Sequence, residues 1–165
     1  MSEVELLRAA VNYGMAMSDD PRTRVGSVIK FNSCAAGEGG LIFGANQIPE
    51  GVLYSDARVS QEQKSRYVEH AERDLIFQAA RCGRSTRGMT MYAPWFACCC
   101  CARAIIIAGI REVVGLTALH ALTPPRWSDD IAAAHQMLGE AGVGMRWITA
   151  ELGTTILFDG KEIEI

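Results

Sequence analysis

Residues 89–116 read MTMYAPWFACCCCARAIIIAGIREVVGL, and this stretch decides the fold. Met89–Ala93 has the pattern of a strand. Cys99 to Ala108 reads as a helix, which Gly109 stops. Val113–Leu116 is again a strand. Further along, Asp129–Glu140 reads as a helix ended by Gly142, and Val143–Ile148 as a strand. Residues 151–165 look like a short apolar-polar tail. Toward the N-terminus, residues 68–82 read as a helix with Leu75, Ile76, Ala79 and Ala80 on one face. Gly83–Gly88 is a basic turn. Residues 46–66 are polar, broken by Pro49 and Gly51, and read as a long functional or mobile loop. Val25–Phe31 and Leu41–Ala45 form a hairpin around a small-residue turn at Asn32–Gly40. Val4, Leu7, Val11 and Met15 place a first helix over residues 4–17, ended by Ser18-Asp19-Asp20-Pro21. From residue 41 onward strands alternate with helices. The expectation is an α/β fold with a mostly parallel sheet covered by helices on both faces.

Composition sets the bounds. A chain of 165 residues, 49% apolar and 21% charged, supports one hydrophobic core, so residues 1–165 are expected to form one domain. The net charge of -3 gives no broad basic surface, which disfavours a nucleic-acid polymer as partner. No apolar run reaches the length of a membrane span. Glu3 and Glu5 near the start do not suit a secretion signal, so a cytoplasmic protein is expected. Four of the six cysteines are consecutive, which suits a metal or catalytic role better than a disulfide framework. Cys34 and Cys82 read as buried small hydrophobes. His120 and His135 read as structural or surface residues.

The chemistry concentrates in His70-Ala71-Glu72 and in Cys98-Cys99-Cys100-Cys101. Within the cysteine run only Cys98 and Cys101 have C-x-x-C spacing. At a helix start that spacing puts two thiols on one side of a turn, where the helix N-terminus favours thiolates. His70, Cys98 and Cys101 make three ligands and leave a fourth position open, as in a catalytic zinc site. Glu72 then stands beside the metal without binding it. An isolated His is often structural, and C-x-x-C can be a redox pair; the combination favours Zn2+. Cys99 and Cys100 read as non-ligands, although substitution of one for a ligand stays open.

These segments resemble the deoxycytidylate (dCMP) deaminase family of the cytidine deaminase-like superfamily. Ser18-Asp19-Asp20-Pro21-Arg22-Thr23-Arg24-Val25-Gly26 is similar to its S-x-D-P-x-x-x-V-G stretch. Gly44-Ala45-Asn46-Gln47-Ile48-Pro49-Glu50-Gly51 is similar to G-Y-N-G-x-P-x-G. His70-Ala71-Glu72-Arg73-Asp74 resembles H-A-E-x-N, and Phe96-Ala97-Cys98-Cys99-Cys100-Cys101-Ala102-Arg103 resembles F-P-C-x-x-C-A-K. The resemblance covers about residues 3–148. It implies a three-layer α/β/α sandwich around a mixed, mostly parallel five-stranded sheet. It also implies hydrolytic deamination of a deoxynucleoside monophosphate, dCMP to dUMP and ammonia. Zinc-bound hydroxide would attack C4 while Glu72 shuttles protons.

By the same resemblance, Asn46 would bind the sugar and the Ala71 N–H the pyrimidine carbonyl. Arg22 would bind phosphate, with Arg24 a second candidate. Trp95, Arg126 and Trp127 would line the substrate. Relatives suggest a homo-oligomer, with hexamers known, and dCTP and dTTP as effectors. Ala97, Asp74, Ala45 and Trp95 depart from the family pattern around the pocket. They keep alternative substrates in view: another free nucleotide or base such as a modified cytosine or a purine. A polynucleotide deaminase and a non-catalytic zinc-binding module are weaker readings.

Overall fold

The computed structural model describes residues 1–31 and 39–165. Most of the expected turn at Asn32–Gly40, including Cys34, lies outside the described residues. Helix α1 (Glu3–Met17) begins with a capping box. Ser2 Oγ accepts from Glu5 N at 3.2 Å, and Glu5 Oε2 accepts from Ser2 N at 2.6 Å. Strands β1 (Gly26–Phe31) and β2 (Gly40–Ala45) pair antiparallel, as the hairpin reading expects. The polar stretch after β2 is more ordered than its sequence suggests. It holds two one-turn helices, α2 (Asp56–Val59) and α3 (Lys64–Tyr67), whose Val59 and Tyr67 pack with Ile48 and Val68.

Helix α4 spans Ala71–Arg81, three residues later than its apolar pattern suggests, because Glu69 is still extended in a bridge to Gln47. Next come β3 (Thr90–Tyr92), α5 (Cys99–Ile107) and β4 (Glu112–Leu116). A short helix, α6 (Thr117–Ala121), and a 3-10 turn at Pro125–Trp127 lead into α7 (Ser128–Glu140) and β5 (Gly144–Ile148). The C-terminal segment is not a loose tail. It is an antiparallel hairpin of β6 (Thr155–Phe158) and β7 (Lys161–Glu164). Its two-residue turn, Asp159-Gly160, has φ of 49° and 78°, the left-handed pair that a tight hairpin requires.

The main sheet has the order β2-β1-β3-β4-β5. β1 runs antiparallel to both neighbours, while β3, β4 and β5 are mutually parallel. Four of the five strands therefore point the same way, and the expected mixed, mostly parallel sheet is what forms. Side chains alternate across it as pleating demands. Ile29, Met91 and Val113 face α4, α5 and α7, and pack with the fully buried Leu75, Ile105 and Leu138. Val114 and Leu116 face the other way, onto Leu7 and Val11 of α1 and Ile156 and Phe158 of the hairpin. Removing one of these buried leucines would cost about 2–5 kcal/mol.

One glycine sets the position of the helix that matters most. A Cβ on Gly44 would lie well inside contact distance of the Ala71 carbonyl and the Leu75 amide, so only glycine lets α4 lie this close to β2. Cys82, read as buried, is exposed at the end of α4 beyond its packed face. Among the described residues, no helix is long and apolar enough to cross a membrane.

Candidate active site

β2, β3 and β4 all end at the same edge of the sheet, because β1 alone is reversed. The segments that follow them carry Asn46 to His70, Trp95 to Cys98, and Arg126 with Trp127. Open α/β sheets bind ligands in this crevice, beyond the carboxyl ends of the strands. A cavity of about 280 Å³ lies there, with His70, Glu72, Asn46, Trp95, Cys98, Arg22, Arg126 and Trp127 among its walls.

Two helix starts meet at its floor. His70 is the residue before α4, and Cys98 caps α5, its sulfur accepting from the Cys101 N–H at 3.4 Å. Both starts are braced from outside. Ser27 Oγ donates to the Ala71 carbonyl at 2.8 Å, and Glu69 Oε1 accepts from the His70 N–H at 2.9 Å. On the other helix, Asp130 Oδ2 accepts from the Cys99 N–H at 2.9 Å, while the Cys99 thiol donates to the Asp130 carbonyl at 3.2 Å. The middle of the C-x-x-C turn is thus tied to α7, and Cys99 points away from His70. Cys100 is exposed and takes a hydrogen bond from Arg103 at 3.1 Å.

His70 Nδ1 lies 3.4 Å from Cys98 Sγ and 3.6 Å from Cys101 Sγ, and the two sulfurs are 3.4 Å apart. A tetrahedral zinc with ordinary bond lengths requires S···S near ~3.8 Å and S···N near ~3.6 Å. The three donors stand within a few tenths of an ångström of that triangle, so they fit the ion. The thiols already differ in acidity. The Cys101 hydrogen bond, then His70, holds Cys98 down to about 4, while the same thiol pairing and burial push Cys101 well up. Burial lowers the proton affinity of His70, but Cys98 and Glu72 outweigh it and raise the net value. Glu72 is buried, with Oε2 at 3.5 Å from Cys101 Sγ, and burial raises its carboxyl above the usual range.

A zinc-binding deaminase pattern now stands in three dimensions, and the description "Cytidine and deoxycytidylate deaminase zinc-binding region" matches residues 1–117. The chain belongs to this deaminase family. It is similar to an uncharacterized deaminase of the luxG 3' region of Aliivibrio fischeri, 31% identical over 82% of this chain and 86% of that one. It is also similar to the deoxycytidylate deaminase of Homo sapiens, 33% identical over 86% of this chain and 77% of that one. Among solved structures, the dCMP deaminase of cyanophage S-TIM5, in complex with dCMP and dUMP, has the same fold. The TM-score is 0.65 at 20% identity, covering 86% of this chain and 93% of that one. This protein is a nucleotide deaminase with zinc as cofactor.

Within this deaminase the remaining expected residues separate. Arg22, Arg126, Trp95 and Trp127 all reach the cavity. The Trp127 ring lies 6.3 Å from that of His70 and 6.1 Å from that of Trp95, both edge-on. Trp95 Nε1 donates to Thr123 Oγ1 at 3.0 Å, which fixes the indole. Asn46 also lines the cavity, but its amide is engaged on both sides.

Two of the expected substrate contacts have partners within the protein. The Ala71 N–H, expected at a ring carbonyl, is fully buried and donates to Asn46 Oδ1 at 3.0 Å. Arg24 turns away, its Nη1 donating to the Met15 carbonyl at the end of α1 at 3.1 Å. Asp74, which departs from the family pattern, also faces elsewhere. Its Oδ2 accepts from the Ala45 N–H at 3.0 Å and Oδ1 from Gln78 at 3.1 Å. It therefore puts no charge into the cavity.

Four further acidic or basic groups stand at the site without belonging to its motif roles. Lys64 Nζ pairs with the buried Asp20 at 2.6 Å, and both line the cavity. Asp20 Oδ1 also accepts from the Arg22 and Thr23 amides, which shapes the arginine-bearing loop. Asp130 braces the cysteine turn. Asp159 meets both Arg22 and Arg126. Only Asp159 had a local signal, the Asp-Gly pair of a tight turn.

Proposed function

We propose that this deaminase hydrolyses a deoxycytidine monophosphate-type nucleotide, converting dCMP and water to dUMP and ammonia. His70, Cys98 and Cys101 would hold the zinc and Glu72 would move the protons. The observation that carries the reading is the buried Glu72 carboxylate, which borders both the cavity and the three-donor cluster yet is not one of the donors. Zinc held there supplies Lewis-acid activation of water near neutral pH.

Glu72 takes a proton from the attacking water at Oε2. It passes that proton to ring N3 as the water oxygen bonds to C4. A second proton, carried from the same oxygen to the C4 amine, lets the C–N bond break and ammonia leave. Burial raises the proton affinity of Glu72, which suits a group that must both accept and donate. The walls of Trp95 and Trp127 suit a flat ring, and Asn46, which lines the same cavity, is the residue this reading assigns to the sugar. Arg22 and Arg126 at the rim offer guanidinium forks to a phosphate.

The test is ammonia release by zinc-loaded protein from dCMP, CMP, dCTP, deoxycytidine, 5-substituted dCMP, dAMP and dGMP. The reading expects dCMP to be turned over best, and Glu72→Ala to be inactive while keeping its zinc. A purine substrate turned over better than dCMP would replace the substrate assignment. Wild-type turnover by Glu72→Ala would remove the proton-transfer role.

A further inference from the structure

The Asp159 carboxylate reaches two cavity-lining arginines from the far end of the chain. Its oxygens face both terminal nitrogens of Arg126, Oδ1 at 2.5 Å from Nη2 and Oδ2 at 3.3 Å from Nη1. Arg22 Nη2 lies 3.4 Å from Oδ1 and 3.4 Å from the Asp159 carbonyl. The turn that carries it is docked, not loose. Asp159 N donates to Thr23 Oγ1 at 3.2 Å, Gly160 N to the Arg22 carbonyl at 2.8 Å, and Arg24 N to the Leu157 carbonyl at 2.9 Å. Phe158, one residue earlier, is buried and packs edge-on against Trp95 at 5.0 Å. The fold therefore delivers this one carboxylate to the two guanidiniums that line the cavity.

A phosphate would engage the same donors. Arg126 presents a fork of two nitrogens, and both are committed to Asp159. A phosphate can take that fork only by displacing the carboxylate, and the two anions also repel each other. The arginine pair with its counter-ion carries a formal charge of +1; without Asp159 it would carry +2. The ion pair is half exposed, with side-chain exposures of 51% for Arg126 and 30% for Asp159. Pairs of this kind are weak enough to exchange. A phosphomonoester, with a charge near -2, is the stronger competitor.

We propose that Asp159 is an internal counter-ion that competes with the substrate phosphate for Arg126 and Arg22. It thereby sets how strongly the enzyme prefers a nucleoside monophosphate over the unphosphorylated nucleoside. This rests on the reading that those two arginines receive a phosphate.

The test uses zinc-loaded wild type, Asp159→Asn, Arg22→Ala and Arg126→Ala, with dCMP and deoxycytidine as paired substrates. Asparagine accepts the left-handed turn conformation, and the unfolding midpoint checks that the hairpin holds. Asp159→Gly serves as a second variant, since glycine also suits this turn. In both Asp159 variants, the ratio of kcat/KM for dCMP to that for deoxycytidine should rise roughly two- to fivefold. The rise should come through a lower KM for dCMP, and inorganic phosphate should inhibit deoxycytidine turnover more strongly. A ratio that stays level or falls in both variants overturns the proposal. The arginine variants separate the two possible failures. If they lower the ratio while the Asp159 variants leave it level, only the counter-ion role is lost. If neither arginine variant changes it, the phosphate reading itself fails.

Discussion

The Ala71 N–H donates to Oδ1 of Asn46 at 3.0 Å, while Nδ2 of the same side chain donates to the Thr23 carbonyl at 2.9 Å. One amide thus joins the start of the Glu72 helix, the end of β2 and the arginine-bearing loop. Asn46→Ala would leave a buried N–H and a carbonyl without partners, at a cost of about 1–3 kcal/mol. Urea denaturation should show a midpoint lowered accordingly. A wild-type midpoint would mean that the loop and helix re-form these bonds elsewhere.

Gly44 is the contact point between β2 and α4. Gly44→Ala pushes a methyl group into the Ala71 carbonyl and the Leu75 amide, which are backbone atoms and cannot rotate aside. The expected loss is about 2–3 kcal/mol. Because His70 and Glu72 ride on the same helix start, zinc content should fall together with stability. Thermal unfolding and metal analysis of the one variant check both effects; full stability would contradict the packing described.

Four adjacent thiols should behave differently on mutation. Cys98→Ser and Cys101→Ser remove donors from the His70 triangle, and each should lose most of the bound zinc. Cys99→Ser and Cys100→Ser should keep about one zinc per chain, since Cys99 is tied to Asp130 and Cys100 faces solvent next to Arg103. Zinc retained in Cys101→Ser and lost in Cys100→Ser would reverse the assignment.

Arg146 on β5 reaches Glu3 on α1 and Glu112 on β4, tying the first helix to the far edge of the sheet. Its hydrogen bonds hold the Glu3 carboxyl below the usual range. A depressed folded-state pKa contributes stability above the unfolded value, and that contribution is lost as pH falls through the folded value. Glu3→Gln should therefore be less stable than wild type near neutral pH, with the gap closing below about pH 4. The side chains are 42% exposed, so solvent screening keeps the gap within about 1 kcal/mol. Unfolding midpoints of both proteins across that pH range should converge on the acid side.

Much of the fold was legible because its signals are short-ranged. The short β-branched runs of β1 and β4, the helical spacing in α1 and α7, and the glycines that stop α5 and α7 each act within a few residues. The apolar spacing puts Glu69 inside the helix over residues 68–82, yet its backbone is taken by a bridge to Gln47. The C-terminal segment has the pattern of a tail because one strand pair has little periodicity of its own; burial of Ile156 and Phe158 against α1 makes it a hairpin. Arg24 and Ala71 could not be placed from their motifs. Each bonds to a partner that another segment brings in.

By itself the sequence determined the order of the five strands of the main sheet and of helices α1, α4, α5 and α7, and the candidate donor set of the metal site. H-x-E and C-x-x-C are spacings within one helical turn, and helix geometry sets which atoms they bring together. Only the tertiary structure decided how the charges around the cavity pair. Asp159 sits on Arg22 across 137 positions, Lys64 on Asp20 across 44, and Asp74 on the Ala45 amide across 29. Such contacts leave no local pattern. They exist because the packing of the sheet, its helices and the C-terminal hairpin brings distant segments to one edge.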